Sequence, residues 1–117
     1  MKIRTMMELL GAEVACCEEN LDKHVYSACG SDMLSDVLAF VKDQAVLLTG
    51  LVNSQVIRTA EMMDMVCIVL VRSKQPTQEM IELAEESGIV ILTTKTRMYD
   101  ACGILYSNGL IGNKVKA

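Results

Sequence analysis

The stretch Ala45–Lys74, AVLLTGLVNSQVIRTAEMMDMVCIVLVRSK, decides the fold. It opens on Ala45–Thr49, an apolar run with no alternation between faces, and carries a second such run at Met65–Val71. A strand that reads as unbroken hydrophobe is covered on both sides, the condition met inside a parallel sheet. Between the runs, Val56, Ala60 and Met63 recur at helical spacing behind Asn53, whose side chain can accept from the free amides of a first helical turn. Strand, helix, strand in this pattern is a βαβ unit with a right-handed crossover.

Downstream the alternation continues. Thr77 precedes a helix marked by Met80, Ile81 and Ala84 and stopped by Gly88; Ile89–Thr93 is a third apolar run; Met98, Ala101, Cys102 and Leu105 mark a last helix closed by Asn108 and Gly109. Upstream, Ile3, Met6, Met7 and Leu10 predict a short helix ending at Gly11, with Thr5 and Glu8 forming an alternative capping box. Ala12–Cys17 reads as a strand, Glu18–Lys23 as a charged loop and His24–Cys29 as a second strand bounded by Gly30. Whether that second strand joins the main sheet or pairs near Val14 is left open. Ser31 then caps a helix from Asp32 to Val41 with Leu34, Val37, Leu38 and Val41 as its stripe. The sum is an α/β domain of three layers, a mostly parallel sheet with helices on both faces.

At 117 residues the chain has room for one domain, 1–117, with its core over about 31–110 and a tail at 111–117. Hydrophobic residues make up 51% against 22% charged, with a mean hydropathy of +0.31, so a homodimer that covers surplus apolar surface is expected. Of the nine methionines Met63 falls on the core stripe and Met62 is the candidate interface residue, for a second copy or another protein. A net charge of -4 argues against nucleic acid and anionic membranes as partners. Met65–Val71 is too short to span a bilayer and Met1–Leu10 is broken by Lys2, Arg4 and Glu8, so a cytoplasmic protein is expected.

Five cysteines without a CxxC pair, and one histidine, supply neither a disulfide framework nor a zinc site, and no metal or cofactor is expected. Cys67 and Cys102 read as small core residues, and Cys16 and Cys17 would point to opposite sides of a strand. His24 is the single base for any nucleophilic pair, and the Glu18–Glu19 and Glu82, Glu85, Glu86 clusters fall at loop and exposed helix positions. No catalytic residues emerge.

In parallel α/β sheets ligands gather beyond the carboxyl ends of the strands. Those ends carry Gly50 and Asn53; Arg72, Ser73 and Lys74; Thr93, Thr94, Lys95 and Arg97; and, if its strand joins in parallel, Ser31. Gly50, Asn53, Arg72, Ser73, Lys74, Thr94 and Lys95 form the candidate ligand set, suited to a nucleotide or another small phosphorylated molecule. The plainer alternative is that Asn53, Thr77 and Thr96 cap helices while Arg72, Lys74 and Lys95 are solvated loop charges. Gly50-Leu51-Val52-Asn53 matches neither GxxxxGK[ST] nor GxGxxG, so Gly50 reads as a turn residue.

SDMLSDVLAF, AVLLTGLVNSQVIRTAEM and IELAEESGIVILTTKTRMYDACGILYSNGL, with MELLGAEV before them, resemble the DRTGG domain family and the related N-terminal domain of HPr kinase/phosphorylase. The resemblance spans about Ser31 to Leu110. It implies a small Rossmann-like unit that serves as a regulatory or dimerising accessory, found fused to CBS domains in regulated pyrophosphatases, in some phosphotransacetylases, and as free-standing chains. It implies none of the kinase activity, which belongs to a separate domain. Where the family has Gly-Asp-Arg this chain has Gly50-Leu51-Val52, and where it has Thr-Gly-Gly this chain has Arg72-Ser73-Lys74.

Overall fold

The three apolar runs become the middle of one sheet. In the computed structural model, which describes residues 1–40 and 44–111, the elements are α1 (Ile3–Leu10), β1 (Glu13–Cys16), a 3-10 turn (Glu18–Asn20), β2 (Ser27–Gly30), α2 (Leu34–Phe40), β3 (Ala45–Thr49), α3 (Ser54–Met62), β4 (Cys67–Leu70), α4 (Gln78–Ser87), β5 (Val90–Thr93) and α5 (Met98–Ser107). The strand order is β1-β5-β4-β3-β2. β2 to β5 are parallel, and β1 closes the far edge antiparallel to β5. Leu47, Ile68 and Ile91 stand abreast, as do Leu48, Val69 and Leu92. All six are fully or almost fully buried, as strands covered on both faces require.

The four parallel strands follow one another in chain order, so successive right-handed crossovers lay α2, α3 and α4 side by side on one face. α1 and α5 pack together on the other, with α5 against β3. Strand order never reverses among the parallel strands, so there is no switch-point crevice of the usual doubly wound kind. Any site at the carboxyl ends must be built by the loops themselves.

The open question of the second strand is settled. β2 pairs in parallel with β3, which puts Ser31 at the carboxyl edge, where its amide donates to the Leu48 carbonyl at 3.0 Å. The strand is shorter than His24–Cys29 and includes Gly30, because Val25 is held instead by a mutual pair of bonds with Met1, and Lys2 bridges His24. β1 stops at Cys16, since Cys17 turns left-handed at φ 61° into the 3-10 turn, and both thiols are buried. α1 starts at Ile3 behind Lys2, so Thr5 and Glu8 form no capping box. α2 starts at Leu34, so Ser31 does not cap it: the Ser31 hydroxyl accepts from the Met33 amide at 2.9 Å in a local turn ahead of the helix, and the Asp32 carboxylate is engaged elsewhere; Leu38 on the expected stripe is exposed, and Val41 lies outside the described residues. Met63 and Cys102 are half-buried, the outer margin of a core that also draws in Ile3, Met6, Leu21 and Val25.

Candidate functional site

The β3–α3 loop spends its polar groups on its own construction. Asp32 reaches across from the β2–α2 connection so that one carboxylate oxygen accepts from the Thr49 hydroxyl at 2.9 Å and the Gly50 amide at 2.7 Å. The Thr49 hydroxyl in turn accepts from the Leu51 amide. Asn53 sits in extended geometry before α3 and its side-chain oxygen accepts from the Val56 amide at 3.3 Å, completing the cap. The Arg72 guanidinium lies over Gly50, where a Cβ would meet the far end of that exposed, flexible side chain.

Arg72 reaches that position from an unusual turn. The Lys74 amide donates to the Val71 carbonyl at 3.2 Å, and the two residues between, Arg72 and Ser73, are both left-handed at φ 58° and 61°. Such a pair makes a type I′ turn, ordinarily the territory of glycine and asparagine. The neighbouring loop holds it in place: the Arg72 amide donates to the Thr96 carbonyl at 3.0 Å and the Ser73 amide to the Thr94 carbonyl at 2.9 Å. Thr94 is buried, its hydroxyl donating to the Leu10 carbonyl at 2.8 Å and accepting from the Thr96 amide.

The start of α5, like that of α1 behind Lys2, lacks the side-chain cap that α3 and α4 have. Thr77 caps α4 with φ -75° and ψ 163°, its hydroxyl accepting from the Met80 amide at 3.1 Å. Arg97 occupies the same position before α5 with φ -77° and ψ 162°, but has no oxygen to offer, and no side chain caps the helix. The backbone is in capping geometry without a cap. Arg97, a cation, stands at the positive end of the helix dipole, and Asp100 is the acidic residue of the first turn. Thr96, the expected cap, lies one residue too early.

Arg72, Ser73, Lys95 and Arg97 line an open groove of about 440 Å³, within the size range of small-molecule sites. A smaller depression of about 310 Å³ adjoins it, sharing Ser73 and Lys95 and including Glu13. The ion pair formed among the described residues is Arg4 with Asp22, at 3.0 Å, so none of the three groove cations is matched by a carboxylate. Of the candidate set, Arg72, Ser73 and Lys95 share the groove and Gly50 lies beneath Arg72; Asn53 and Thr94 are consumed in capping and bracing, and Lys74 is exposed outside the lining. Arg97 joins them. The signal for it is the lack of Ser, Thr, Asp or Asn directly before a helix.

Burial pushes every thiol away from reactivity. Cys16 is raised to about 12 by desolvation, and Cys17, Cys29, Cys67 and Cys102 are raised from the same leading cause. A neutral thiol is a poor nucleophile, so none of the five is activated. No three His, Cys, Asp or Glu side chains among the described residues converge where a metal would sit.

This arrangement can be placed among known proteins. Residues 5–107 match the family profile of the DRTGG domain. The chain belongs to the DRTGG domain family. Among solved structures, this DRTGG domain is similar to the crystal structure of the CBS and DRTGG domains of the regulatory region of Clostridium perfringens pyrophosphatase, complexed with its activator diadenosine tetraphosphate. The TM-score is 0.71 at 17% identity, over 89% of this chain and 45% of that one, a likeness of fold. The chain thus spans less than half the length of that neighbour. No curated protein matches it in sequence.

Proposed function

We propose that this DRTGG domain is a non-catalytic regulatory module that senses a phosphorylated small molecule held between Arg72, Ser73, Lys95 and Arg97. The observation that carries the reading is the convergence on an uncapped helix start of three cations that form no ion pair among the described residues, in a chain of net charge -4. A phosphoryl group supplies acceptors for two arginine forks, for a lysine and for the free amides that open α5. The regulatory part is supported by the family and by the neighbour, whose regulatory region is described with an activator bound. The non-catalytic part is supported by thiols held neutral.

Thermal melts in pyrophosphate, adenine nucleotides and sugar phosphates test this. A ligand at a hundred times its Kd stabilises by about 2.7 kcal/mol, a shift of several degrees for a domain of this size. The shift is expected to vanish in Lys95→Ala/Arg97→Ala. A midpoint unmoved by the whole panel, or a shift that survives the double substitution, sinks the reading.

A second reading, self-association in the cytoplasm, is favoured by the open edge at β2, where Tyr26, Met33 and Leu38 are 66%, 61% and 46% exposed. Met62, at the end of α3, is 68% exposed and is a separate candidate contact. Five free cysteines accord with a reducing compartment, and no helix among the described residues is long and apolar enough to cross a membrane. Light scattering at tens of micromolar decides it: a clean monomer of 12.9 kDa removes the dimer.

A further inference from the structure

α5 turns a mixed face outward, Tyr99, Gly103 and Tyr106 beside Asp100 and Ser107. A trough of about 790 Å³ runs along α5 from Thr96 past Tyr99, Gly103, Ile104 and Tyr106, with the Asp100 carboxylate and Ser107 also in its lining. Tyr99 is 88% exposed and Tyr106 65%. Seven residues of helix set these two rings about 10 Å apart along the axis, with Gly103 between them.

Gly103 is not needed by the fold. It has no positive φ, and a Cβ built on it meets nothing within 4 Å. Glycine inside a helix is less stable than alanine there. What it provides is a floor that a flat group can approach closely.

The trough and the cationic groove share no lining residue, and the depression between them relates the two. Thr96 lines the trough and also lines the depression that shares Ser73 and Lys95 with the groove, while Arg97 stands between Thr96 and the first turn of α5. Side chains on a helix lean toward its N-terminus, so Tyr99 leans toward the Arg97 end. A ligand with its anion among Arg72, Lys95 and Arg97 that extends past Thr96 reaches Tyr99, with the Asp100 carboxylate beside it.

We propose that the phosphorylated ligand is a nucleotide, its phosphate in the Arg72, Lys95 and Arg97 groove and its base lying over Gly103 against Tyr99. This rests on the groove being an anion site and adds what selects the rest of the molecule. Aromatic stacking of a base is worth about 5- to 100-fold in affinity.

Titration calorimetry on the full chain with AMP and with ribose 5-phosphate separates the two ideas. AMP is expected to bind at least about fivefold more tightly, and to quench tyrosine fluorescence in this chain without tryptophan. Tyr99→Ala is expected to bring AMP down to the level of ribose 5-phosphate, Tyr99→Phe to keep the preference, and Gly103→Leu to remove AMP binding while sparing ribose 5-phosphate. Thermal melts of each variant confirm that it is folded. Equal affinity for the two probes, or a preference that survives Tyr99→Ala, overturns the base platform and leaves the groove standing. Binding of neither probe, or binding unaffected by Arg97→Ala, overturns both.

Discussion

The loop after β3 and the loop after β5 do opposite things with polar residues. In the first, Asp32, Thr49 and Asn53 are each engaged with a named backbone or side-chain partner. In the second, Thr94 and Thr96 are spent on bracing, while Lys95 and Arg97 line the groove with no ion pair among the described residues and α5 begins without a side-chain cap. Both loops look equally suited to a ligand when written as letters. The difference shows that polar groups at the end of a parallel strand divide into those that build the loop and those left over. Only the second kind is free to recognise anything.

Substitutions in the two loops can break this contrast. The largest effect is expected at Thr94→Val, which leaves the Leu10 carbonyl and the Thr96 amide unsatisfied in a buried setting; chemical denaturation should show a loss of about 2 kcal/mol. Asn53→Ala removes one cap and should cost about 1 kcal/mol with phosphate binding unchanged. Arg97→Thr should do the reverse, stabilising the unliganded protein by about 0.5 kcal/mol, because the backbone already holds capping angles, while abolishing phosphate binding. If Arg97→Thr destabilises, or Asn53→Ala weakens binding as much as Arg97→Thr does, the contrast is lost.

The smallest effect is one of solution conditions and belongs to neither loop. The buried thiols, Cys67 and Cys16 foremost, keep their protons to higher pH in the folded chain than in the unfolded one. As pH rises above about 9 the unfolded state sheds protons first, so stability falls on the alkaline side. The slope of Tm against pH should be the same in the wild type and in Arg97→Thr, and shallower in Cys16→Ala.

Much of the fold was legible because its signals are local. The runs at Ala45–Thr49, Met65–Val71 and Ile89–Thr93 became the three inner strands, and Asn53, Thr77, Gly11 and Gly88 marked helix ends that the structure keeps. What sequence spacing could not reveal depended on contacts between distant residues. Asp32 looked like a helix-start residue, but its carboxylate serves a loop about eighteen residues on. Gly50 does lie in the turn between β3 and α3, and that the Arg72 guanidinium lies over it could not be read from spacing. The pairing of β2 is a choice of neighbour across the sheet, invisible to periodicity.

The left-handed pair at Arg72 and Ser73 has a consequence best put in the terms of design. An engineer asked only for a stable domain would write glycine at both positions, since each non-glycine residue there is held against its backbone preference. The two bonds from the 94–96 loop are what make the exception tolerable. The turn after β4 and the loop after β5 are therefore a single part. Grafting the cationic groove onto another α/β scaffold would require moving both together, with Gly50 beneath them, and neither would keep its shape alone.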